Sequence, residues 1–391
     1  MELDLAALAP LPYHRELVAH LRRFEPEVWA WASSLAVQQQ HLEETRAGLL
    51  RDTYRLTPDA HGPAYEALAA VAARLEIDAP ATLWQAGAEG MNAALVYLPG
   101  EVHVVLHGPI LERLSPEEFV ALLGHELAHH RLWSIAGGEV FTAARILDHT
   151  LADPAAAPSH VQTARLFGLY TEVYADRGAA FASGAAGPAI STLVKVHTGL
   201  QQVDPVAYLI QAEELEAADA AGLSKAHSHP ETYLRAQAVD KWMRCDPGLD
   251  DWLRRRLQGP LSMTSLDLLG QAELEAVTRR FIGGFLDGEL ARSEAVLTQA
   301  RRYFPDWDPA MAAAIDADEA RLDDSVRDYL GFVMLDLALA DPDLTDHALL
   351  AAARTARRLG RDETFLQSLR RDAGLPKKQV DALARQLKAA A

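Results

Sequence analysis

The chain carries one cysteine, Cys245, in 391 residues. A single thiol cannot bridge within its own chain, so no disulfide framework holds this fold, and such cysteine usage fits a reducing compartment. Long apolar runs are missing too. Without a stretch of about 18 apolar residues, no spanning helix is expected. The opening residues, MELDLAALAPLPYHREL, have no basic stretch ahead of an apolar one, so no signal peptide is expected. Positive charge is scarce: 37 Lys and Arg face 55 Asp and Glu, for a net charge of −18. That balance disfavours nucleic acid or an anionic membrane as the main partner. The expectation is a soluble, cytoplasmic protein with no membrane insertion and no nucleic-acid partner. Its length suggests two or three domains.

Against that background one stretch stands out, Ser115 to His130, SPEEFVALLGHELAHH. His125, Glu126 and His129 form H-E-x-x-H. On a helix, positions i and i+4 share a face one turn apart, so two imidazoles reach one Zn²⁺ while Glu126 turns toward the metal's open side. The local signals favour a helix. Ser115 and Glu118 read as a capping box, and Pro116 falls at the first helical position. Phe119, Leu122 and Leu123 supply a buried stripe, and Gly137-Gly138 a stop.

A catalytic zinc site needs a third protein ligand. Downstream, residues 161–183 read as a helix containing Glu172 and Asp176 at i and i+4. Leu166, Leu169, Val173 and Phe181 make its surroundings apolar. Two acids there are costly unless paired or metal-bound. The rival third ligands fail on the sequence. A metzincin would need Gly and His where Leu132 and Ile135 stand, and Cys245 sits in MRCDPG, unlike a deformylase-type cysteine ligand. Glu172 is the remaining candidate.

The rest of the chain is mostly helical by periodicity. Residues 13–57 read as helical, as do 63–75. Ala81–Gln85, Ala93–Leu98 and Val102–Leu106 read as short strands, with Pro99-Gly100 as a hairpin turn. A zinc peptidase wants an edge strand there, to hold an extended substrate by backbone pairing. His103 and His107 alternate with apolar residues and read as strand-face residues. AHSHPETYLRAQAV, with His227, Ser228, His229, Pro230 and Arg235, reads alone as a polar loop before a helix. Beyond residue 258, helices are expected at 265–286, 289–303 and through 325–391.

Taken together, these motifs resemble the HtpX and CAAX-prenyl-protease gluzincins, metallopeptidase family 48. The resemblance runs from about Met91 to Val239. It rests on Asn92-Ala93, H-E-L-A-H at 125–129, E-x-x-A-D at Glu172 to Asp176, and H-P-x-x-x-x-R at His229 to Arg235. It implies a zincin-like fold with His125, His129 and Glu172 as ligands to one Zn²⁺ per chain and Glu126 as general base. It further implies that Asp176 steadies a ligand, His229 sits near the developing oxyanion, and Arg235 orders the neighbouring acids. Many relatives are membrane-embedded, so the likeness is to soluble members, and the segment between the two metal-binding helices is short. The acidic turn Asp341-Pro342-Asp343, with Asp346, is similar to the acidic loop of TerB-like domains, although a capped helix start explains the same acids.

The expected fold class is therefore α+β and predominantly helical. A helical extension (1–58) would precede the metallopeptidase domain with its small sheet (59–258), and an all-helical domain (259–391) would follow. The expected function is zinc-dependent endopeptidase action on a protein or peptide, latent until triggered in one version of the reading. The alternative is a non-catalytic zincin-fold protein whose C-terminal helices recruit a partner.

Overall fold

The computed structural model describes residues 4–87, 90–218, 223–226, 228–288, 290–308 and 321–389, with side chains left aside at 35–42. His227 and Glu289 lie outside the described residues. The chain is α+β and predominantly helical, with a small mixed four-stranded sheet among the described residues. It divides into two compact units, Met1–Gly259 and Pro260–Ala391.

The first unit begins with α1 (Pro12–Phe24), α2 (Pro26–Ala32) and α3 (Leu35–Asp52). The helical pattern read over 13–57 is thus broken. Pro26 lacks the N–H that would continue α1 and instead opens α2. After α3 the chain turns into a two-residue strand, β1 (Tyr54–Arg55), paired antiparallel to β2 (Ala81–Ala86). So short a strand leaves no period to read. Between them lies α4 (Gly62–Arg74); β3 (Asn92–Leu98) and β4 (Glu101–His107) then complete the sheet. The strand order is β1-β2-β4-β3, with β2 parallel to β4 and β3 antiparallel to it. Central β4 is buried at Val102, Val104 and Leu106, while β3 lies at the edge. The β3–β4 turn places Gly100 at φ +79°, a conformation that favours glycine. His103 is a strand-face residue, accepting from Trp84 Nε1 at 3.3 Å and lying 2.9 Å from Glu101.

After a short helix α5 (Ile110–Arg113), the central pair of the unit is α6 (Pro116–Ser134) and α8 (Pro158–Ser183), joined through α7 (Glu139–Ala152). The capping box at the start of α6 is formed: Ser115 Oγ accepts from Glu118 N–H at 3.3 Å, and Glu118 Oε2 accepts from Ser115 N–H at 2.7 Å. Glu118 is buried, and it also accepts from Lys195 Nζ at 2.7 Å and Ser191 Oγ at 2.5 Å. These two residues lie on α9 (Ala186–Thr198), so a buried ion pair ties α9 to the first turn of α6. α10 (Pro205–Ala218), α11 (Thr232–Met243) and α12 (Leu249–Leu257) close the unit.

α6 and α8 approach unusually closely. A Cβ on Gly124 would lie 2.5 Å from Ala182 Cβ and 2.8 Å from the Gly178 carbonyl oxygen. One on Gly178 would lie 2.2 Å from Ala128 Cβ. α1 braces α8 as well. Tyr13 stacks on Tyr170 at 4.7 Å, Tyr174 Oη donates to the Leu8 carbonyl at 3.2 Å, and fully buried His14 lies 3.3 Å from Thr171 Oγ1.

The second unit is a helical bundle: α13 (Leu268–Phe285), α14 (Glu294–Tyr303), α15 (Asp324–Ala338), α16 (Thr345–Arg358), α17 (Asp362–Arg371) and α18 (Lys377–Ala389). Met334, Leu337, Ala352 and Leu369 are wholly buried at its centre. In the acidic turn before α16, the Asp341 carboxylate accepts from the Asp343 N–H at 3.0 Å and from Ser293 Oγ, so this acid is occupied in local capping.

Two outcomes follow from this packing. Gly178→Val must push α6 and α8 apart, and is expected to cost about 1–3 kcal/mol in denaturant unfolding; an unchanged midpoint would contradict the close contact. Burial, with Arg177 and Arg15 nearby, lowers the His14 pKa to about 3. The unfolded chain therefore binds more protons as pH falls from about 6.5, and stability drops by about 1.4 kcal/mol per unit until about 3. His14→Leu, which removes that proton site, should gain on the parent protein between pH 7 and pH 5. Parallel pH profiles for the two would refute it.

Candidate active site

Six of the seven side chains singled out in the sequence come from three helices. α6 contributes His125, Glu126 and His129, α8 contributes Glu172 and Asp176, and α11 contributes Arg235. His229 stands on the loop just before α11. They meet at a cleft of about 1500 Å³ whose lining includes Asn92 to Leu95 of edge strand β3.

His125 Nε2 and His129 Nε2 lie 3.3 Å apart, and each lies 3.6 Å from an oxygen of Glu172. These residues form a group that could hold a metal ion. Ligand atoms about 2.0–2.2 Å from a tetrahedral zinc are separated by about 3.3–3.6 Å, the spacing found here. Glu172 Oε2 is buried, makes no hydrogen bond among the described residues and lies nearest His125, while Oε1 lies nearest His129. The donor set and its spacing thus fit Zn²⁺.

His125 is oriented from behind. Its Nδ1 lies 3.1 Å from Asp176 Oδ1, which places the ring proton there and leaves the Nε2 lone pair toward Glu172 and His129. Asp176 is 1% exposed, and both its oxygens accept from Arg235 at 2.7 Å. Burial opposes its charge, but Arg235 and His125 prevail and hold its pKa at about 2. Arg235 also reaches Glu172 Oε2 at 3.2 Å. Burial disfavours the Glu172 carboxylate, yet Arg235 and the three neighbouring histidines keep its pKa below the usual range. His125 is pushed up: desolvation opposes its charge, but Asp176 and Glu172 outweigh it.

His129 differs. Burial, above all, lowers its pKa to about 4, so it is neutral near pH 7. Its buried Nδ1 has no hydrogen-bond partner among the described residues, and its ring is packed against Trp133, centroids 5.5 Å apart. Trp133 is in turn held edge-on by Tyr97. Glu126 is buried and its pKa is raised, first by burial and then by Glu172, although the Leu95 N–H of β3 donates to it. His229 is the open member. Its side chain is 60% exposed, with Nε2 3.5 Å from Glu172 Oε2 and Nδ1 3.0 Å from Ser228 Oγ.

Residues that the sequence did not single out also shape the site: Gly124 and Gly178 through helix approach, Lys195 and Ser191 through Glu118, and Trp133 beside His129. The glycines carried a legible signal, since both helices read G-x-x-x-A, at Gly124–Ala128 and Gly178–Ala182. Lys195 carried none, because its partner lies 77 residues away. Among the described residues no helix is long and apolar enough to cross a membrane.

Comparison with known proteins gives one finding. No curated protein and no solved structure matches the chain. The family model described as peptidase family M48 matches residues 66–243, a span that contains every side chain of the cleft site. That segment, a little under half of the chain, is similar to peptidase family M48, a family of metallopeptidases.

Proposed function

We propose that the protein is a zinc-dependent endopeptidase, with one Zn²⁺ held by His125 Nε2, His129 Nε2 and a Glu172 oxygen. The supporting observation is the convergence, from two helices, of two imidazole nitrogens 3.3 Å apart and the Glu172 carboxylate, with a different oxygen 3.6 Å from each. When bound, zinc would polarise the scissile carbonyl and make an attacking water more acidic, toward a pKa of about 7.

The chain's own residues do the rest. The Glu126 carboxylate takes the proton from the attacking water and delivers it to the leaving amine. Burial raises its pKa above the ordinary carboxylate value, which makes it a stronger base than an exposed carboxylate. His229, exposed at the cleft, donates to the developing oxyanion, a role typically worth about 2.7–4 kcal/mol. Asp176 fixes the tautomer of His125, and Arg235 keeps Asp176 and Glu172 ionised. Edge strand β3 offers backbone groups to an extended substrate. The cleft walls run from α7 and the start of α8 to α9 and α10, more length than a terminal residue needs.

Glu126→Gln should retain zinc and lower kcat on a casein or peptide-library substrate by about 10²–10⁴; turnover at the parent's rate would refute the role of the base. Glu172→Ala should lose zinc on purification, measured by metal analysis. Arg235→Met leaves a buried acid without its cation and should cost about 3–5 kcal/mol of stability. Adding Asp176→Leu to it should recover part of that loss, a coupling read from a double-mutant cycle. Additive effects would mean that the two residues act apart.

A further inference from the structure

The stretch of cleft wall formed by α7 and the start of α8 is largely apolar. Leu147 and Leu151 of α7 and Val161 of α8 line it. Leu151 and Val161 are 56% and 41% exposed, so their surfaces are open to an occupant. Asp148 lines the same wall and is exposed. Among the described residues nothing donates to it or pairs with it. Partial desolvation raises its pKa, and no neighbouring charge offsets this. Arg165 lines the same cleft but is engaged elsewhere, donating from Nε to the Ala226 carbonyl at 2.8 Å and from a terminal nitrogen to that of Ser224 at 2.6 Å.

A partly desolvated carboxylate without a cation is relieved by a ligand that brings one. A flanking apolar surface is covered by an aliphatic stem. Lysine and arginine combine these two features. An acidic side chain would be repelled here, and a purely apolar one would desolvate the carboxylate further. We propose that Asp148 is a specificity-determining residue selecting substrates with a lysine or arginine, whose stem lies on Leu151 and Val161 and whose charged head meets the Asp148 carboxylate. The proposal rests on the peptidase reading and names its substrate class. Val161 and Gln162 precede Glu172 by about 15 Å along α8, at about 1.5 Å per residue. An extended chain covers that distance in about four to five residues, which is the offset of the basic residue from the cleaved bond. The chain's excess of acidic residues also draws such substrates toward it.

The test walks one lysine along a neutral peptide, with norleucine as the uncharged counterpart at each position. kcat/KM is compared for the zinc-loaded parent and for Asp148→Asn. The parent should prefer lysine about tenfold at one position, four to five residues from the cleaved bond, and less so at high salt. Asp148→Asn should lose that preference and cleave the norleucine peptide at least as well as the parent. A parent with no preference, or a preference that survives Asp148→Asn, overturns the proposal. If the zinc-loaded parent cleaves none of these peptides, the peptidase reading itself is in question. Binding then decides the matter separately: Glu126→Gln should bind the best lysine peptide about tenfold tighter than its norleucine counterpart in calorimetry. Adding Asp148→Asn should erase the difference. Equal binding of the two peptides to Glu126→Gln refutes the role of Asp148.

Discussion

The whole arrangement depends on how closely α6 and α8 lie. Packed helices with ordinary side chains keep their axes about 8–10 Å apart. Two imidazoles on one helix and a carboxylate on another must nonetheless meet within 3.6 Å. Gly124 precedes the first histidine directly, and Gly178 follows Glu172 by six residues, each facing the other's backbone. Each glycine costs about 1 kcal/mol of helix propensity relative to alanine. The Ala128 and Ala182 methyls fill the contact that the glycines open. At the start of α6, the Glu118 box and its Lys195 partner stop the helix from rotating or sliding, so that both histidines keep facing α8.

Charge follows from that contact. Glu126, Glu172 and Asp176 are all deeply placed, and Arg235 is the permanent cation among them. Arg235 pairs with two of these three carboxylates, and His129 beside them is neutral. Arg235 pairs with Asp176 and Glu172 and keeps their pKa values low, while Glu126 is left with a raised pKa. The two histidines are fixed by different means. His125 is held by a hydrogen bond to Asp176, His129 by packing against Trp133.

Much of this was legible in the sequence because it is local. The capping box, the i, i+4 histidines, the Glu172–Asp176 pair and the three longer strands all follow from spacing within one element. The hairpin followed from Pro99-Gly100. What escaped notice is non-local or too short. The β1 strand has two residues and exists only because β2 offers an edge. Lys195 and Ser191 acquire meaning only once α9 lies beside Ser115. Asp148 is one acid among many until the fold sets it in the cleft wall. His229 was recognisable only in company with Arg235; its own surroundings read as a polar loop.

The N-terminal helices bear on how the site is kept in place. Leu8, Leu11, Leu17 and Leu21 are at most 1% exposed, and His14 is buried against Thr171, the residue beside Glu172. At about 25 cal/mol per Å² of apolar surface, covering four leucines contributes several kcal/mol, an upper estimate given a compact unfolded chain. A segment held that firmly is a poor removable cover. Its contacts with Tyr170, Thr171 and Tyr174 run along the same stretch of α8 that carries Glu172 and Asp176. Residues 8–21 therefore act as a brace. They press α8 toward α6 and so help to maintain the spacing at which the three donors meet.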